Sequence, residues 1–252
     1  MKQALTWAAG GTLFLFAMTA LGAATVFLFV QEPRERLRRW LLGFAAGIMT
    51  AASVWSLLLP AIEQSADFGV PGWLPAAAGL LLGVGFLSAL DAVLPHLRRA
   101  KDMDLTRRQS TLLMAAITLH NVPEGMAVGL AFALAAEGEG MAGAAALALG
   151  IGIQNLPEGA AISLPLRQEG SSRGRAFLLG TLSGSVEPIF GILVVLVAAG
   201  VRPLMPWLLS FAAGAMLYVV VEELVPQAHS KAGTCGFVGG FLIMMILDVA
   251  LG

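Results

Sequence analysis

His120-Asn121-Val122-Pro123-Glu124-Gly125 recurs further along the chain as Gln154-Asn155-Leu156-Pro157-Glu158-Gly159. In each copy two donor side chains stand at i and i+4, His120 with Glu124 and Gln154 with Glu158, and a helix stacks such pairs on one face a turn apart. Two of these faces turned toward each other make a four-cornered polar site. Both copies lie within long apolar runs, Leu112 to Ala136 and Ala142 to Leu166. At mid-bilayer an Asp, Lys or Arg costs roughly 2.5 to 3.5 kcal/mol, and Glu should be comparable. A chain that bears this twice, in matching positions, is expected to hold something in the membrane.

A third carboxylate sits beside a proline in another apolar run, Ser183-Gly184-Ser185-Val186-Glu187-Pro188. Three carboxylates cannot all stay ionised together in low dielectric without a cation, and a divalent metal resolves the conflict directly. Imidazole, carboxylate and amide oxygens together suit Zn²⁺, Fe²⁺ or Mn²⁺, whereas Cu(I) would want several Cys or Met. Met49, also in an apolar run, is by composition the kind of residue that fills a core. Pro123 and Pro157 lack an N–H and are expected to break their helices, releasing the carbonyls of Leu119 and Ile153. Free carbonyls at this depth are tolerated only when buried in protein or lining a wet cavity. Gly125 and Gly159 would let neighbouring helices come close. Broken helices in an inverted pair, with polar groups at the midplane, are the sequence form of a transporter's binding site.

The elements that must position these residues follow from composition. With 58% hydrophobic and 12% charged residues the chain reads as an all-α polytopic membrane protein, a single transmembrane domain over 1–252. Eight transmembrane helices are expected, at about 4–30, 40–62, 73–95, 111–136, 141–166, 176–200, 204–226 and 234–251. The first is longer than the roughly 7 to 15 apolar residues of a signal peptide and is kept as a span. Basic residues alternate between the two sides. Arg34, Arg36, Arg38 and Arg39, then Arg98, Arg99, Lys101, Arg107 and Arg108, then Arg167, Arg173 and Arg175, and finally Lys231 fall on one side, with only Lys2 and Arg202 opposite. The positive-inside rule therefore puts both termini outside. On that outer side the polar residues are acidic, Glu63 and Asp67, then Glu137 and Glu139. The lone Cys235 excludes an internal disulfide, and a net charge of −1 gives no electrostatic footprint for nucleic acid.

The paired motifs within eight spans resemble the ZIP (Zrt/Irt-like protein) family of divalent metal transporters, most of all its bacterial members with short cytoplasmic loops. The likeness covers nearly the whole chain, through Ser56-Leu57-Leu58-Leu59-Pro60, the stretch around Glu187, Glu222-Glu223-Leu224-Val225-Pro226 and Leu247-Asp248. It implies import of divalent metal, zinc first and also iron, manganese and cadmium, across the cell inner membrane by alternating access. The metal would be substrate, with no prosthetic group, and its partners would be metal ions and the bilayer, with a homodimer allowed.

By the same resemblance one metal site would be made by His120, Glu124, Gln154, Glu158 and Glu187 with Met49 close by. A second would use Asn121 and Asn155 and share the three glutamates. Members with a clear binuclear centre carry Asp where this chain has Asn155, so one strong and one weaker site are expected. Ser56 with Glu63 would form the entrance, and Glu222, Glu223 and His229 the inner exit. Asp91 and Asp248, near span ends, read more simply as snorkelling or helix-pairing residues. The alternatives are an intramembrane metal-dependent hydrolase or a metal-binding membrane protein that transports nothing. With three His and no His-Glu-x-x-His the chain lacks the ligands of the common zinc hydrolases, and no enzyme activity is expected.

Overall fold

Helix is the only regular structure among the described residues, as a chain apolar on nearly every helical face requires once it leaves water, since helices satisfy their own backbone. The computed structural model describes residues 2–28, 35–97, 105–138, 140–200 and 202–251. The side chains of residues 91, 93–97, 105–117, 119, 120, 199, 200, 202 and 251 lie outside that description. So do Arg34, Arg98, Arg99, Lys101 and Glu139, among the loop charges that set the expected orientation.

The elements are α1 (Lys2–Leu28), α2 (Glu35–Ala52), α3 (Leu59–Ser65), α4 (Trp73–Leu97), α5 (Leu105–Ala135), α6 (Met141–Gln168), α7 (Arg173–Ser183), α8 (Val186–Gly200), α9 (Met205–Val219), α10 (Val225–Ala228) and α11 (Lys231–Leu251). Among the described residues six helical stretches are long and apolar enough to cross a bilayer: Lys2–Leu28, Glu35–Phe68, Trp73–Leu90, Arg173–Ala198, Met205–Ala228 and Lys231–Ala250. The two motif helices, α5 and α6, are not among them, and Asn121–Ala135 counts as a shorter apolar helix.

The expected proline breaks fall elsewhere. Pro123 and Pro157 lie inside continuous helices. Each is braced close by through a neighbouring backbone: a Cβ on Gly125 would strike Glu187 of α8, and one on Gly159 would strike the Thr19 carbonyl of α1. The rod that does part is the one carrying Glu187, where α7 ends at Ser183, turns at Gly184 and Ser185, and resumes as α8. Pro188 stands in the first turn of α8, where an N–H would have no helical partner, so it favours the restart rather than disrupting it.

Two further irregularities come in a matched form. Residues Ser53–Leu58 and Val220–Leu224 are π-helical, and the N–H of Leu59 and of Val225 bonds the carbonyl five residues back, Val54 and Val220 respectively. A proline follows each after one intervening residue, Pro60 and Pro226, in the first turn of α3 and of α10.

Packing sorts the helices into two groups. α1 lies against α5, α6, α7 and α8, while α2 lies against α11 and α4 against α9. Within each group backbones touch: Gly22 meets the Leu156 carbonyl and Gly125 meets Glu187 in the first, while Gly47 meets Phe237 and Gly83 meets Phe211 in the second. Small residues that admit such contact are how helices associate where lipid removes the hydrophobic drive. Across the seam the fit is of another kind. Gly150 of α6 faces the Met244 sulfur of α11 and an Ile48 methyl of α2, side chains rather than backbone.

Candidate metal centre

The interior of the first group is polar at one level. Asn121 and Glu124 come from α5, Gln154, Asn155 and Glu158 from α6, and Glu187 from α8, all of them buried. The i, i+4 spacing holds Gln154 and Glu158 on one face of α6, as the sequence predicts. Because α7 stops short, Glu187 enters at the first turn of α8, where helix N–H groups favour an anion.

Amides cross-tie the carboxylates. Gln154 Nε2 donates to Glu124 Oε1 at 2.6 Å, and Asn155 Nδ2 donates to Glu187 Oε1 at 2.8 Å. Thr19 Oγ1 stands 3.3 Å from the same Glu187 oxygen. Asn121 Nδ2 donates at 3.0 Å to the Ser183 carbonyl, one of those left open where α7 ends. With the donors used in this way, a set of acceptors remains. Oε2 of Glu124, Oε2 of Glu187 and the side-chain oxygens of Asn121, Gln154 and Asn155 are buried with no hydrogen-bond donor. Burying such an oxygen unpartnered costs roughly 1 to 3 kcal/mol, and more when it is charged. Five such oxygens lie on three helices, α5, α6 and α8.

Among the described residues no three His, Cys, Asp or Glu side chains are gathered closely enough to hold one ion unaided. Glu124 and Glu187 each have one oxygen bonded to an amide of α6. The backbone of His120 lies in α5, but its side chain is outside the described residues. Met49 is buried in the main apolar cluster with Ile48, Ala45 and Ala52, and no described contact joins it to the glutamates.

A cavity of about 530 Å³ opens where the two helix groups meet. Ser56 and Glu63 line it, as the entrance reading places them, together with Gln64, Asp67 and Asp248. The ends of α5 and α6 complete the wall through Ala131, Leu134 and Gly140. Ser56 donates to Asp248 Oδ1 at 2.6 Å, and Oδ2 of that carboxylate is buried without a donor. Asp248 therefore pairs α11 with the Ser53–Leu58 segment, the helix-pairing half of what its place near a span end suggests, and does so at the wall of a cavity rather than by snorkelling. Nothing in the chain could pair residues so far apart in sequence. From Ala131 to Glu124 is two turns of α5, about 10 Å.

Of the exit residues, Glu222 and Glu223 lie in the second π segment, the first exposed and the second half-buried. His229 lies between α10 and α11, and its carbonyl accepts from Arg39 Nη1 at 3.0 Å. None of these three is among the residues lining the cavity.

A family model described as ZIP Zinc transporter matches residues 95–248, which include the buried cluster and Asp248. The chain is 37% identical to the zinc transporter ZIP11 of Homo sapiens, over 96% of each chain. It is 38% identical to the zinc transporter GufA of Myxococcus xanthus, over 93% of this chain and 94% of that one. To the zinc transporter ZIPB of Bordetella bronchiseptica it is also 38% identical, over 94% of this chain and 79% of the relative. These relatives are named as transporters, not as enzymes.

Proposed function

The chain belongs to the ZIP family of zinc transporters, and on that premise we propose that it carries zinc into the cytoplasm through the buried cluster of α5, α6 and α8. The observation that carries this reading is the set of five acceptor oxygens, on Asn121, Glu124, Gln154, Asn155 and Glu187, that the protein leaves without donors in its interior. A dication satisfies them at once, and carboxylate with amide oxygen is a donor set that zinc accepts. Glu158 and the imidazole of His120 complete the strong site in this reading. Met49 belongs to that strong site in the same reading, and Asn121 and Asn155 serve the weaker one with the three glutamates shared.

Eight crossings with both termini outside place the acidic cavity at the outer mouth. Zinc enters there past Glu63, Asp67 and Asp248, descends two turns along α5 and meets Glu124. The ion takes Oε2 of Glu124 and of Glu187, the oxygens without donors, while Oε1 of each keeps its bond from the amide of Gln154 or Asn155. The seam supports alternating access. Of the helices bearing the ligands, α6 meets α1 and α5 meets α8 backbone to backbone, whereas Gly150 of α6 meets the other group at the side chains of Met244 and Ile48. The first group then shifts as one body, and the ion leaves past Glu222, Glu223 and His229. Iron, manganese and cadmium share these ligands with zinc, and the inner membrane and a homodimer are parts of the same reading.

Purified protein in liposomes tests it. Radioactive zinc should accumulate inside vesicles, with iron, manganese and cadmium competing. Vesicles that take up no more of any of the four ions than protein-free controls would sink the proposal.

A further inference from the structure

Thr19 is fully buried on α1, a helix that supplies none of the proposed ligands. Its hydroxyl has one proton and two acceptors at equal reach, the Leu15 carbonyl of its own helix and Oε1 of Glu187, both at 3.3 Å. Several other hydroxyls in these helices that turn back on the carbonyl four residues earlier do so more closely. Thr12, Thr50 and Ser53 all do so at 2.7 Å, and Ser210 at 2.8 Å. Thr19 alone of these is stretched off its own helix, toward a carboxylate.

The neighbours enforce that placement. A Cβ on Gly184, at the break between α7 and α8, would strike the Thr19 side chain, and one on Gly159 would strike its carbonyl. The second Pro-Glu-Gly motif and the restart of the helix bearing Glu187 therefore close on the same residue. Oε1 of Glu187 faces two donors, Asn155 Nδ2 and the Thr19 hydroxyl, while Oε2 faces none.

We infer that Thr19 is a positioning residue of the transport site, its hydroxyl fixing the Glu187 carboxylate so that Oε1 stays engaged by protein and Oε2 is presented to the cation. The inference rests on the reading of the buried cluster as the zinc site. Thr19 does not touch the ion. It removes the freedom of Glu187 to turn both oxygens away, a freedom that would otherwise be lost on binding and weaken the complex. An interaction of this sort acts alike on the resting and moving states of the loaded protein, so its loss should raise KM and leave kcat.

The test is equilibrium zinc binding to the purified full chain in detergent, paired with zinc uptake into liposomes. Thr19→Val keeps the branched volume and removes the donor, and it should raise the Kd and KM by about tenfold, as loss of a hydrogen bond to a charged group does, with kcat within about twofold. Thr19→Ser keeps the hydroxyl and should stay within about twofold of the parent in all three. Thr12→Val, on the same helix but with its hydroxyl bonded only to backbone, should match the parent. A Thr19→Val protein with the parent's Kd overturns the inference, as does a Thr19→Ser protein as impaired as Thr19→Val, or an equal loss in Thr12→Val. A parent that binds zinc but does not carry it defeats the transport reading alone, with Thr19 still judged by the Kd values. A parent that binds no zinc defeats both.

Discussion

Asn155 gives an amide proton to Glu187, Nδ2 to Oε1 at 2.8 Å, and so binds α6 to α8 inside the polar cluster. In sequence the asparagine reads as a missing ligand charge, and the geometry adds that it is also a donor. Asn155→Asp replaces this bond with two facing carboxylates. The melting temperature should fall by a few degrees without metal, and added zinc should raise it by more than in the parent. Thermal unfolding in detergent with and without zinc checks both signs, and an unchanged zinc response would count against a second site at this position.

Glu124→Ala and Glu158→Ala should each reduce zinc uptake to the level of empty liposomes while the protein still inserts and stays folded. Membrane fractionation and size-exclusion profiles supply the control. Removing a buried carboxylate also removes a desolvation cost, so neither variant is expected to melt far below the parent.

At the cavity, Asp248→Asn and Ser56→Ala should raise the KM for zinc by about threefold to tenfold and leave kcat nearly unchanged, because they act on capture and not on the buried cluster. The effect should shrink with added salt. Initial uptake rates across zinc concentration at low and high ionic strength measure this, and a fall confined to kcat would argue against an entrance here.

Movement across the seam can be stopped by a bond. In a Cys235→Ser background, Gly150→Cys with Met244→Cys places thiols on α6 and α11 where the two groups touch. Oxidation should halt uptake and reduction restore it. Uptake that persists in protein shown by mass spectrometry to be fully cross-linked would exclude sliding at this contact.

The paired motifs were legible because their chemistry is local: a four-residue spacing places two side chains on one face whatever surrounds the helix, and burial of Glu124, Gln154 and Glu158 is expected from their apolar runs. The prolines misled because their effect is not local. Pro123 and Pro157 stay inside continuous helices, with the backbones of α8 and α1 packed against Gly125 and Gly159 two residues on, contacts that one-dimensional reading cannot see. Pro188 resembles one more helix breaker and instead lies in the opening turn of a helix that Gly184 and Ser185 had already interrupted. Thr19 gave no signal at all, since a threonine in an apolar run is indistinguishable from filler until its hydroxyl distance is known. Asp248 could be linked to Ser56 only by a fold that brings distant parts of the chain together.

The π segment at Ser53–Leu58 takes up one surplus residue before α3. Deleting Val54 should therefore let an ordinary α-turn form and leave Glu63 and Asp67 pointing into the cavity. The same deletion made in the regular turns of α2 would swing both acids round by about 100°. Insertions and deletions in this rod thus differ in consequence by where they fall, and comparing two chains position by position would misjudge which acids are equivalent unless the extra residue is counted first.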